Sequence, residues 1–166
     1  MSKRKQYTVV NGELSDQAYV TSGVPQGSVV GPTLFALYTG DLPEAVSSAS
    51  LYMYADDTTI YCIGESVDSV TNTLNNALKE LEDWSSKNNL VPHPKKCEAM
   101  MLKRGSFTGP LNALALCNHT IKWMTYARLL GVTINDKLTW AQHITEVKKS
   151  FVNKLNLLKR SAFFTT

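Results

Sequence analysis

Apolar residues along this chain follow two rhythms, and the switches between them mark out the elements. Tyr7-Thr8-Val9-Val10 and Gln17-Ala18-Tyr19-Val20-Thr21 are strand-forming runs flanking Asn11-Gly12, a dipeptide that favours tight reversal. A hairpin is expected there, loosened by Glu13 to Asp16. Next comes Gly23-Val24-Pro25-Gln26-Gly27-Ser28, whose two glycines and proline predict a turn. Ser28 is the expected N-cap of a buried helix, with Pro32 in its first turn and Val30, Leu34, Phe35, Leu37 and Tyr38 at helical spacing until Asp41-Leu42-Pro43. Leu51 to Ile63 then reads as two short strands of aromatic and β-branched residues around the tip Ala55-Asp56-Asp57-Thr58. Val67, Val70, Leu74, Leu78, Leu81 and Trp84 recur at helical spacing, with Ser66 as cap and Asn88-Asn89 as stop. They predict a surface helix on a sheet, with Asn72, Asn75, Asn76 and Lys79 facing outward.

The second half repeats these signals. Leu90-Val91-Pro92-His93-Pro94 is a stiff connection into Lys95-Lys96 and a strand from Cys97 to Leu102. Leu114 to Cys117 and Thr120 to Trp123 bracket Asn118-His119 as a hairpin, and Leu129 to Ile134 reads as a further strand. Thr139 and Gln142 are spaced as a capping box for a last helix. Its stripe is Trp140, Ile144, Val147, Phe151, Leu155 and Leu158, and Lys148, Lys149, Lys154, Lys159 and Arg160 decorate the remaining surface. Apolar residues are still arriving at Phe163-Phe164, so the end reads as cut.

A chain of 166 residues with 43% hydrophobic and 19% charged residues is expected to be one globular domain. No apolar run approaches the roughly 20 residues that span a bilayer, and Met1 to Lys5 leads into polar sequence, so a non-secreted protein without membrane contact is expected. Cys62, Cys97 and Cys117 have no ligand or disulfide spacing, nor do His93, His119 and His143 join them, which argues against zinc. The net charge of +3 conceals an asymmetry. Nine of 14 acids lie between Asp41 and Asp83 beside one base, Lys79, whereas 13 bases and three acids follow from Trp84 onward. A metal site followed by a phosphate-gripping surface has this pattern, and so do solvated helix faces.

The chemistry is expected at Asp56-Asp57. Adjacent carboxylates repel and resist desolvation, and they are comfortable only when fully solvated or sharing a cation. A hard ion such as Mg²⁺, held by one or two carboxylates and substrate phosphates, resolves the conflict. An acidic hairpin tip is also an ordinary turn, and the dipeptide alone leaves both readings open.

Three ordered segments narrow the choice. GVPQGSVVGPTLF at Gly23 to Phe35, YADD at Tyr54 to Asp57, and LLGVTINDKLTWAQHI at Leu129 to Ile144 resemble the reverse transcriptases of non-LTR, jockey-like retrotransposons, in order and spacing from near Arg4 to the end. The resemblance implies an α+β fold: residues 1–135 as part of a polymerase palm, a small antiparallel sheet backed by helices, and residues 136–166 as the start of the thumb. It implies an RNA-directed DNA polymerase that uses Mg²⁺ or Mn²⁺, an RNA template, a DNA primer and deoxynucleoside triphosphates, with nuclear action implied by the family alone.

By the same resemblance, Asp56 would bind the catalytic ions, with Asp57 beside the primer terminus. Tyr54 and Ala55 would lie near the primer end and incoming nucleotide. Gly23, Pro25, Gln26, Gly27 and Ser28 would support template and nucleotide, Lys96 would assist the departing pyrophosphate, and Gly131 with Val132 would grip the primer. Cys97 stands where the family has a threonine after the lysine. The palm's further metal-binding Asp comes from a strand upstream of the glycine loop and is not found here, for Glu13, Asp16 and Asp41 are poor substitutes. The chain alone is therefore expected to be inactive. A non-catalytic nucleic-acid-binding relic is the alternative.

Overall fold

The computed structural model describes residues 4–21, 23–25, 27–103 and 110–162. Its first strands are Arg4–Gln6 (β1), Val9–Val10 (β2), Glu13–Leu14 (β3) and Ala18–Val20 (β4). Asn11 and Gly12 both hold positive φ, 52° and 87°, the backbone of a type I′ turn, and Val10 pairs with Glu13 directly behind them. Glu13 and Leu14 are thus strand, contrary to the loosened turn expected. The irregularity sits further back. Between the pairs Val9–Leu14 and Gln6–Ala18, two residues on one side face three on the other, which is a bulge.

Gly31–Tyr38 (α1) starts at Val30, with Pro32 in its first turn and no side-chain cap. Ser28 is not the cap: its carbonyl accepts from the Gly31 N–H at 3.2 Å, closing a turn one step before the helix. α1 is also not buried. Leu37 and Val30 are exposed, Leu34 and Phe35 are half-buried, and the helix is tied at its end by the Tyr38 hydroxyl donating to the Asn88 carbonyl. Leu42–Ala45 (α2) follows and buries Leu42.

Ser50–Tyr54 (β5) and Asp57–Tyr61 (β6) form a regular hairpin, and Val67–Lys87 (α3) is the element on which the core is built. The Ser66 hydroxyl caps α3, accepting from the Ser69 N–H at 3.1 Å. Asn89 at φ 51° and the Leu90 N–H bonded to the Ser85 carbonyl at 3.0 Å close the helix as a Schellman motif. α3 buries two sides. Ala77 and Trp84 join Leu42 and Val46 under the β5–β6 hairpin, while Leu78 joins a second cluster.

That second cluster is completed by Leu114–Leu116 (β8) and His119–Trp123 (β9), which follow Glu98–Ala99 (β7) in the three-stranded order β7-β9-β8. The β8–β9 turn is Cys117-Asn118, one residue earlier than expected, since Leu116 pairs with His119. β7 is two residues long and runs parallel to β9. One antiparallel sheet was expected; among the described residues five small sheets form, one of them with a parallel pair. Asn75 is not an outward residue either. Its amide accepts from the Ala115 N–H at 3.2 Å and donates to the Ala113 carbonyl at 3.1 Å, occupying the open edge of β8.

Tyr126–Leu129 (β10) and Val132–Asn135 (β11) form the last hairpin, so the expected single strand from Leu129 to Ile134 is broken at Leu130-Gly131. Ala141–Ala162 (α4) leaves β11 through the Thr133 hydroxyl, which donates to Glu146 at 2.7 Å. The expected capping box does not form: the Thr139 hydroxyl accepts from Asn135 at 2.7 Å and Gln142 donates to Glu146 at 3.2 Å. On α4, Ile144, Val147, Phe151 and Leu158 are exposed. Among the described residues, no helix is long and apolar enough to cross a membrane.

Candidate functional site

The β5–β6 hairpin has two chemically different faces because its side chains alternate. Leu51, Met53 and Ile60 point inward and pack on the cluster of Leu42, Val46, Ala77 and Trp84. Tyr52, Tyr54 and Asp57 take the outer face, where Tyr54 lies opposite Asp57 across the strands. The turn residues are Ala55 and Asp56. Ala55 holds φ 54°, a left-handed backbone that costs a non-glycine residue about 1–2 kcal/mol. Asp56 and Asp57 are both exposed at this tip.

The tip meets the β10–β11 turn. Tyr54, Ala55, Asp56 and Asp57 form one side of an open cleft of about 540 Å³, and Leu130 and Gly131 form the other. Leu130 and Gly131 have φ 47° and 84°, the pattern of a type I′ turn. Sequences 74 residues apart are thus brought to one site, Ala55-Asp56-Asp57 facing Leu130-Gly131.

Other expected site residues lie elsewhere. Gly23, Pro25, Gly27, Ser28 and Lys96 do not line this cleft, and Gln26 lies outside the described residues. Gly23 and Gly27 hold positive φ, yet a Cβ on either would meet open space, so within this chain they serve backbone shape and not close approach. Arg4 donates from its guanidinium to the Gly23 carbonyl and anchors the loop to β1. Lys96 is exposed in a 3-10 turn, Pro94–Lys96, beside β9. Leu130 was the residue missed. Its signal was the Leu-Gly pair inside an otherwise continuous strand pattern, which marks a break.

The family model described as reverse transcriptase (RNA-dependent DNA polymerase) matches residues 2–134. This chain belongs to the reverse transcriptase family. It is 28% identical over 162 residues to the RNA-directed DNA polymerase from mobile element jockey of Drosophila melanogaster, covering 93% of this chain and 18% of that protein. The protein of the same name from Drosophila funebris is 29% identical over 168 residues, with coverage of 93% and 18%. A retrovirus-related Pol polyprotein from type-1 retrotransposable element R1 2 of Nasonia vitripennis is 28% identical over 145 residues, covering 83% of this chain and 35% of its own length. The chain thus spans less than a fifth of the jockey proteins. No solved structure matches it.

The chemistry of this cleft suits a divalent ion. Two exposed carboxylates supply hard oxygen donors, and the open volume in front of them leaves room for waters and phosphate oxygens, as Mg²⁺ prefers. Among the described residues, no group of three or more His, Cys, Asp or Glu side chains gathers as a metal site. Asp41 is used otherwise, accepting from the Trp84 indole at 3.0 Å.

The outer face carries one more ordered feature. The rings of Tyr52 and Tyr61 are stacked, with centroids 5.5 Å apart and planes within 2°. The Ser50 hydroxyl and the Tyr52 phenol hold Tyr61 below the usual tyrosine pKa, and the hydrogen bond with Tyr61 raises that of Tyr52. Tyr61 is therefore the acceptor of the pair when ionised.

Proposed function

We propose that this chain is the nucleotidyl-transfer segment of an RNA-directed DNA polymerase of a non-LTR retrotransposon, with residues 1–135 as part of the palm and 136–166 as the start of the thumb. The observation that carries the reading is the cleft in which the YADD tip meets Leu130-Gly131, in a chain of the reverse transcriptase family. The substrates are a DNA primer paired to an RNA template and a deoxynucleoside triphosphate.

Asp56 and Asp57 hold the divalent ions. Bound there, Mg²⁺ or Mn²⁺ supplies acidification of the primer 3′-hydroxyl and neutralisation of charge on the transferring phosphate. Tyr54, exposed opposite Asp57, packs against the primer end, and Ala55 keeps the turn small enough for the terminus to approach. Leu130 and Gly131 form the facing wall, whose backbone steadies the primer so that its hydroxyl is held at the reacting phosphorus. Gly23, Pro25, Gln26, Gly27 and Ser28 support the template and nucleotide, with Arg4 fixing the Gly23 end of that loop. Lys96, outside the cleft, meets the far end of the triphosphate and assists pyrophosphate departure.

Two carboxylates give a two-ion site fewer shared ligands than phosphoryl transfer requires. The 166-residue chain by itself therefore does not extend primers at a measurable rate. A second reading, a nucleic-acid-binding relic without catalysis, is favoured by the five cations on α4, Lys148, Lys149, Lys154, Lys159 and Arg160. Primer extension with Mg²⁺ or Mn²⁺ tests the assignment. No incorporation is expected from the chain alone; incorporation that Asp56→Asn abolishes would overturn the claim of inactivity while securing the site.

A further inference from the structure

We infer that Glu146 is a positioning residue for the cleft: by clamping Thr133 it holds the Leu130-Gly131 wall at the primer terminus and ties that wall to α4. This deepens the polymerase reading and rests on it. β10 and β11 form a two-stranded sheet of their own, and an isolated hairpin is marginally stable. Its base is fixed by the Met124 N–H, which donates to the Ala99 carbonyl at 2.7 Å. That anchor is six residues from Leu130, about 20 Å along a strand, so a wall of fixed position needs a nearer one.

Thr133 supplies it. It lies two residues beyond Gly131, about 7 Å along β11, and is 6% exposed. The two-residue turn makes Leu129–Val132 the hydrogen-bonded pair, so the next pair, Arg128–Thr133, turns its N–H groups outward. Both donors of Thr133 go to α4: the N–H to His143 Nδ1 at 3.3 Å and the hydroxyl to Glu146 at 2.7 Å. Gln142 donates to the other carboxylate oxygen of Glu146 at 3.2 Å. The Thr133 and Gln142 bonds, with Arg128 and His143 nearby, hold the Glu146 carboxyl below the usual glutamate range. Glu146 is the one acid on a helix with five Lys and Arg, and it stands beyond the first turn, where neither capping nor the helix dipole calls for a carboxylate. Thr133 does call for one. A bond to an ionised acceptor is roughly twice as strong as a neutral one, and without it the buried hydroxyl is left unpaired.

The test measures affinity of the full chain for two labelled RNA–DNA duplexes, in Mg²⁺ with the matching deoxynucleoside triphosphate. One duplex has a recessed primer 3′ end; in the other the DNA strand continues past that point. The native chain is expected to prefer the recessed end, because only there can a terminus enter the cleft. Glu146→Ala is expected to lose about fivefold of that preference, while its affinity for the continuous duplex does not fall, since the α4 cations remain. Glu146→Gln keeps an oxygen for the Thr133 hydroxyl and restores most of the preference. Thr133→Val loses the preference and Thr133→Ser keeps it, a comparison that stands even where Glu146→Ala fails to fold. Adding Glu146→Ala to Thr133→Val has little further effect, a coupling that two independent losses of stability would not give. A preference retained by Glu146→Ala and Thr133→Val, or additive losses at the two positions, in variants whose circular dichroism is unchanged, overturns the inference alone. A native chain with no preference for the recessed end removes the polymerase reading of the cleft and the inference with it.

Discussion

Trp84 is where the stability of the scaffold and the shape of the cleft meet. It is 6% exposed, packs with Leu42, Val46 and Ala77 beneath the β5–β6 hairpin, and donates its indole N–H to Asp41 at 3.0 Å. Truncation to alanine removes most of that packing and leaves a cavity, at a cost of about 3–5 kcal/mol. A small domain has only about 5–15 kcal/mol in total, so Trp84→Ala is expected to bring the chain near unfolding. Trp84→Phe is the measurable variant. It refills most of the volume, and the freed Asp41 carboxylate is at the surface and takes water instead, so the loss is about 2 kcal/mol. Urea unfolding followed by far-ultraviolet circular dichroism reads this as a lower midpoint at constant slope. Trp140, 56% exposed immediately before α4, is the control: its alanine variant should change stability by about 0.5 kcal/mol or less. Equal losses at Trp84 and Trp140 would refute the placement of the core under the hairpin.

Two further outcomes follow from local geometry. Ala55→Gly relieves the left-handed strain of about 1–2 kcal/mol but adds unfolded-state entropy of about 0.4–1 kcal/mol, so the hairpin should gain up to roughly 1.6 kcal/mol; a clear loss of stability would show that Ala55 is not strained. Glu80 accepts from the Ser48 hydroxyl at 2.7 Å, the Ser48 N–H at 3.0 Å and the Ser47 hydroxyl at 3.3 Å, and these bonds hold its carboxyl below the usual glutamate value. A depressed folded pKa stabilises the chain fully above the unfolded value of about 4.3 and less as pH falls through the folded one. The stability difference between the native chain and Glu80→Gln should therefore shrink below about pH 4.3; a difference that stays constant would sink the link.

The sequence was most readable where local chemistry decides structure on its own. Ser66 capping α3, the Asn11-Gly12 reversal and the acidic hairpin tip were all legible because each depends on residues within a few positions. Periodicity also placed the helices α1 and α4, but it could not say what covers their apolar residues, and Leu37 of α1 and Ile144, Val147 and Phe151 of α4 are exposed. Ser28 and Thr139 failed as caps for a related reason: a capping residue competes with other turns, and the Ser28 turn and the Asn135 side chain prevailed. The cleft itself was hidden. Leu130-Gly131 read as strand interior, and only pairing of β10 with β11 turns it toward Asp56 and Asp57.

The central claim is that Asp56 and Asp57 form the ion site, and Mn²⁺ binding tests it most directly. Electron paramagnetic resonance of free Mn²⁺ would be titrated with the chain in the presence of primer, template and a deoxynucleoside triphosphate. The account expects the free-ion signal to fall with the native chain and to stay near that of the protein-free mixture with Asp56→Asn and Asp57→Asn. Equal Mn²⁺ binding by the native chain and both variants would contradict it.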